Sequence, residues 1–211
     1  MTRRHDSTGF TLVEVLVAML IMSILAVMAW QGIDGIVRTR DASEARLEQT
    51  LRLNTVLAQW EQDLASVQDT AAVPNSLAFD GASLRLTRRA ERGLQVVVWS
   101  LRPAAEGGAA GGSWLRWAGP AVTGSNELLE SWLLSYQFQG NEPGQLRTLS
   151  GLSQWQVYCF HGNAWTNCQS SAPGASAPTR QALPSGVRLV LTFGQGSGLN
   201  GDLTRDVALG P

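Results

Sequence analysis

Gly9-Phe10-Thr11-Leu12-Val13-Glu14-Val15-Leu16-Val17-Ala18 opens an apolar run that lasts to Trp30 and admits one charged residue, Glu14. From Phe10 to Trp30 there are 21 residues. As a helix rising roughly 1.5 Å per residue they span about 31 Å, the thickness of a hydrocarbon core. Arg3 and Arg4 stand ahead of the run and favour a cytoplasmic N-terminus. An ionisable group inside such a span is costly and marks a functional candidate, although Glu14 lies near enough to its start to reach the interface. A secretory signal carries its cleavage site after the apolar region, with small residues of the Ala-x-Ala kind. Here the following residues are Trp30-Gln31-Gly32-Ile33-Asp34, a poor match. The small residue at a candidate cut site is Gly9, before the run, and cleavage there keeps the apolar segment in the mature chain. An uncleaved signal anchor is the alternative that hydropathy alone allows.

The stretch from Gly9 to Ala18 resembles the prepilin cleavage and methylation motif of type IV pilins and type II secretion pseudopilins. The resemblance implies a membrane aspartyl prepilin peptidase that cuts between Gly9 and Phe10 and methylates the new amino group of Phe10. Phe10 becomes the first mature residue and Glu14 the fifth. In a bundle of such helices Glu14 needs a partner, because an unpaired buried charge is strongly destabilising. The amine of Phe10 on a neighbouring subunit would supply one and set axial register. A lone carboxylate hydrated at the interface is the alternative.

The rest of the chain organises around that segment. The expected fold is α+β and pilin-like, with a long N-terminal helix packed on antiparallel β-sheet. Its divisions are a leader over 1–9, a transmembrane half-helix over 10–33, an amphipathic half-helix over 34–68 and a periplasmic β-rich domain over 69–211. Leu53, Val56, Leu57, Trp60, Leu64 and Val67 recur at helical spacing, with Leu47 and Leu51 extending the stripe. Arg52, Gln59, Glu61, Gln62 and Asp63 fall mostly on other faces. No proline interrupts Phe10 to Val73. Gly32 and Gly35 weaken the helix where it leaves the membrane, either as a bend or as ordinary interfacial glycines. Pro74 is expected to close the helical region. Strands follow at Leu84–Leu86, at Leu94, Val96 and Val98 with Trp99, at Trp132, Leu134, Tyr136 and Phe138, and at Val187, Leu189, Leu191 and Phe193. Each is expected to pack one face on the helix. The stretches 104–113, 170–178 and 194–201 read as loops.

Within the pilin-like superfamily, Trp60-Glu61-Gln62-Asp63-Leu64 resembles the helix signature of J-type minor pseudopilins. Leu128-Leu129-Glu130-Ser131 and Leu183-Pro184-Ser185-Gly186-Val187-Arg188-Leu189 resemble their later segments. W-type minor pilins share much of this pattern. The resemblance implies a structural subunit in a pseudopilus tip complex that helps start assembly for protein export. Its implied partners are the prepilin peptidase, other major and minor pseudopilins or pilins, and the inner membrane. A type IV minor pilin serving adhesion, motility or DNA uptake is the alternative, and a signal-anchored periplasmic binding module that never polymerises is another.

Cys159 and Cys168 are the two cysteines of the chain. On the extracytoplasmic side an even count suits a disulfide across a hairpin turning at His161-Gly162-Asn163. Metal ligation with His161 is the rival, short of a fourth ligand. Trp114 and Trp117 follow a Gly-rich stretch and are candidates for partner contact, with core packing as the other reading. Asn200, Asp202 and Asp206 lack EF-hand spacing, so no metal or cofactor is expected. Only two histidines occur, and no nucleophile elbow or phosphate loop appears, which argues against an enzyme. The net charge of −1 gives no field for nucleic acid.

Overall fold

A computed structural model describes residues 10–103, 111–169, 182–194 and 197–210. Its backbone follows the expected plan, one long N-terminal helix and then an antiparallel sheet, an α+β pilin-like architecture. Two compact units result, Met1–Glu48 and Gln49–Pro211.

Helix α1 runs from Leu12 to Ala65 without a break, 54 residues that include Gly32 and Gly35. It ends before Pro74 is reached, because the chain leaves the helix to join a strand. Gln68 N–H donates to Thr87 O and Arg89 N–H to Ser66 O, both at 2.9 Å. Backbone groups satisfied in this way have no further use for a helical ladder.

Among the described residues eight antiparallel strands follow in a near-sequential meander: β1 Leu77–Phe79, β2 Ser83–Ala90, β3 Gly93–Arg102, β4 Gly112–Ala118, β5 Leu146–His161, β6 Ala164–Asn167, β7 Gly186–Phe193 and β8 Asp202–Ala208. Their order in the sheet is β1-β2-β3-β4-β5-β7-β8, with β6 paired to the far end of β5. The β2–β3 hairpin turns through Glu91 and Arg92 into Gly93, whose φ is +116°. A Cβ on Gly93 would sit 2.1 Å from the Val122 carbonyl, so only glycine fits.

The segment Trp132 to Gln139 is not the expected strand. Ser125–Leu134 forms helix α2, and Ser135–Gln137 adds a single 3-10 turn. Leu128, Ser131 and Trp132 are the buried positions, spaced three and four apart, and this period outweighs the alternation of Trp132, Leu134, Tyr136 and Phe138. Leu134 and Tyr136 are exposed.

One face of the sheet packs on α1 as expected, and α2 covers part of the other, so the row of β3 that meets α1 is not the expected one. In β3, Val97 and Trp99 face the C-terminal part of α1, whereas Val96 packs with Leu128 and Trp132, and Val98 with Leu115 and Phe138. The β3 row of Leu94, Val96 and Val98 therefore faces away from α1. The main core lies between Leu53, Val56, Leu57, Trp60 and Leu64 of α1 and the inner face of the sheet, including Leu84, Leu86, Leu189 and Leu191. Trp60 stands at its centre, with ring centroids 5.5 Å from both Trp99 and Trp114 and 6.4 Å from Trp155. The expected loop over 170–178 lies outside the described residues, as does most of 104–113.

Candidate functional site

The candidate processing and assembly segment starts where α1 starts. Thr11 precedes the first helical residue, so its side chain is placed to cap the helix. Its Oγ1 accepts the Glu14 N–H at 3.3 Å, and Glu14 Oε2 accepts the Thr11 N–H at 3.1 Å and the Thr11 hydroxyl at 3.0 Å. Reciprocal bonds of this kind form a capping box, which satisfies helix N-terminal donors that have no partner within the helix. The carboxylate is thereby fixed at the head of the helix, where the helix dipole also favours negative charge. Among the described residues its second oxygen, Oε1, has no hydrogen-bond partner. Phe10, 87% exposed, stands just ahead of the cap.

Beyond Glu14 the helix presents apolar side chains on every side. Leu16, Met19, Leu20, Met22, Leu25, Met28 and Trp30 are all exposed. This helix is long and apolar enough to cross a membrane by length and composition. Ser23 and Thr39 donate their hydroxyls to backbone carbonyls within the helix, Leu20 O at 2.7 Å and Gly35 O at 2.9 Å, so they add little polarity to its surface. Gly9, the other half of the expected cleavage pair, lies outside the described residues.

The remaining sequence candidates divide. Cys159 and Cys168 form a disulfide with Cα atoms 5.0 Å apart. They are not directly opposite in the hairpin: Cys159 pairs with Thr166, and Cys168 N–H reaches Val157 O at 3.1 Å, so the bridge runs diagonally. With both thiols spent in the bridge, His161 has no thiolate to share a metal with. Asp206 is taken by a bidentate pair with Arg188, both contacts 2.7 Å. Among the described residues no group of three or more His, Cys, Asp or Glu side chains is arranged to hold a metal.

Trp114, in β4, is 0% exposed and packs against Trp60, Trp99 and Trp155 in the core beneath α1. Trp117 is half-buried on the α2 side of the sheet, its Nε1 donating to Pro143 O at 3.2 Å.

The sequence reading also misplaced Asp63. It sits inside the apolar stripe at 0% exposure. Arg116 grips it with Nε and Nη2 at 2.7 and 2.9 Å, Arg88 Nη1 approaches to 2.5 Å, and Trp99 Nε1 and Gln59 Nε2 donate at 2.9 and 3.0 Å. One carboxylate thus ties α1 to β2, β3 and β4. The signal was present in the spacing, since Asp63 lies three residues after Trp60 and seven after Val56, on the stripe itself.

No curated protein matches the chain. Residues 4–30 match the family described as the prokaryotic N-terminal methylation motif, and with the long apolar-headed helix that begins inside the match, this prepilin-type signature supports a type IV pilin-like protein.

Proposed function

We propose that the chain is a minor pseudopilin of a type II secretion system, a non-enzymatic subunit of the pseudopilus tip complex. A prepilin peptidase cuts between Gly9 and Phe10 and methylates the Phe10 amine. The helix holds the subunit in the inner membrane, with Gln49–Pro211 on the periplasmic side. On assembly the exposed apolar helix packs among those of other subunits, and Glu14 accepts the charged amine of a neighbouring Phe10. The observation that carries this reading is the capped Glu14 carboxylate at the head of a helix whose first half is apolar on all sides. The cap occupies only Oε2 of Glu14, which leaves Oε1 for the amine of a neighbouring subunit. The J-type assignment leans on the Trp60–Leu64 run, whose Asp63 is the ion-pairing centre of the domain.

Mass spectrometry of the protein purified from membranes tests the processing step. The expected N-terminal peptide begins with N-methylated Phe10; a chain beginning at Met1, or cut beyond Trp30, refutes it. Identification of the partners cross-linked to the assembled protein tests the machine. Pseudopilins are expected, and type IV pilus subunits alone would move the chain to a minor-pilin role.

A further inference from the structure

On the α2 side of the sheet, the loop after the 3-10 turn binds a carboxylate. The successive backbone N–H groups of Gln139, Gly140 and Asn141 point at the side chain of Glu142, at 2.5, 2.9 and 3.1 Å. Successive amides arranged this way form a concavity that binds anions. Arg102 lies beneath it. Its guanidinium donates to Phe138 O, its Nε is buried without a hydrogen-bond partner, and a Cβ on Gly140 would come within 3.8 Å of that nitrogen. Glu142 also lines a cleft of about 420 Å³, whose other walls are Trp117, Leu134, Ser135, Gln137, Phe138 and Pro143. Burial raises the Glu142 carboxyl, but the amides of Gln139, Glu142, Gly140 and Asn141 outweigh it and hold the group below its ordinary value. It is therefore charged at neutral pH. An apolar cleft with an anion-binding concavity at its rim is a recurring arrangement for capturing a chain terminus.

We infer that this cleft captures the C-terminal carboxylate of a partner polypeptide whose last side chain is apolar, and that Glu142 occupies the carboxylate's place until the partner arrives. A terminal carboxylate sits on the same carbon as its side chain. Amide concavity and apolar cleft, which share Glu142 as a boundary, are therefore filled together. An internal acidic side chain holds its main chain farther out and leaves the cleft empty. Charge complementarity agrees: three backbone amides converge on a position held by a single negative charge. Leu134, 60% exposed, carries the apolar lining of the cleft out to its edge. The surface lies on the opposite face of the sheet from α1 and stays open when that face is covered.

The test uses the full chain in detergent micelles and a fluorescein-labelled pentapeptide ending in Leu-Phe, with binding read by anisotropy. Glu142→Ala removes the internal competitor. It is expected to bind the free-acid peptide at least about tenfold tighter than the unmodified protein, the loss of one competing charge-assisted contact. The peptide with an amidated C-terminus is expected to bind at least about tenfold more weakly than the acid. Leu134→Ser, at the cleft wall, is expected to weaken the acid peptide. Glu142→Gln keeps an acceptor for the loop amides and must show the same direction of change, which covers the case where Glu142→Ala loosens the loop. Equal binding of acid and amide, or no tightening in Glu142→Gln, overturns the proposal. So does an amidated peptide with an internal glutamate that binds as well as the free acid.

Discussion

Asp63 shows how one residue can organise a domain. A carboxylate with no exposure lies between two arginines whose side chains are only 17% and 11% exposed. Removing one partner of a buried ionic group leaves uncompensated charge, which costs about 3–5 kcal/mol. Asp63→Ala should therefore lower the stability of the folded domain by that amount, read as a shift in urea midpoint. Glu61→Gln, two residues earlier, breaks the solvent-screened pair with Arg205 and should shift the midpoint far less. Similar losses for the two variants would mean that the Asp63 network is not what joins helix to sheet. Gly93 makes a second residue-scale test. Gly93→Ala forces a Cβ to within 2.1 Å of backbone at φ +116°, and the hairpin must shift. A melting temperature no lower than that of the unmodified protein would contradict the hairpin geometry.

Elements were legible where one periodicity ruled. The α1 stripe and the alternation of β7 point to their buried faces, because each buries one side only. The β3 row was half legible: Val96, Val97, Val98 and Trp99 are all buried, and strict alternation cannot signal a strand covered on both faces. Helix α2 was misread because four large apolar residues from Trp132 to Phe138 alternate while the helical positions of Leu128, Ser131 and Trp132 include a serine. Asp63 was missed for the related reason that a charge in an apolar stripe reads as a break in it; its arginine partners come from distant strands. Between elements, the disulfide joins the end of β5 to the residue after β6, across a separation of nine residues. Closing so short a loop contributes about 2–3 kcal/mol in the chain-entropy account. Cys159→Ser with Cys168→Ser should lower the thermal midpoint while leaving the far-ultraviolet circular dichroism unchanged, and an unshifted midpoint would show that the hairpin needs no staple.

At the scale of the whole molecule, acid is expected to loosen the domain in a stated direction. Burial raises the Asp80 carboxyl, but its bond to Arg85, the Ser83 amide, the Arg85 charge and the Ala82 amide outweigh it, and the group sits below the ordinary aspartate value. Asp206 is likewise lowered, first by its bond to Arg188 and against a smaller effect of burial. A carboxyl lowered by folding adds stability above its unfolded value, and that stability is lost as pH falls through the folded one. The thermal midpoint should therefore drop on acidification below the normal carboxylate range, and Asp80→Asn should flatten part of that drop. A midpoint that rises on acidification would contradict the sign.

Assembly itself gives the sharpest whole-molecule test, because the observed cap and the proposed intersubunit pair of Glu14 are separable. In the single chain it completes a capping box with Thr11, which an uncharged glutamine also does. Between chains it is to neutralise an amine, which glutamine cannot do. Glu14→Gln should leave the Gln49–Pro211 unit equally stable and the protein in the membrane, since the substitution removes a charge from an apolar span. It should nevertheless reduce incorporation into cross-linked assemblies severely, as should Glu14→Ala. If Glu14→Gln assembles normally and Glu14→Ala fails, the carboxylate serves the helix cap and the intersubunit pair is refuted. If both assemble normally, Glu14 has no assembly role, and only the apolar surface of the helix remains to drive association. Loss in both variants, with thermal stability and membrane fraction unchanged, isolates the charge as the element that a neighbouring subunit reads.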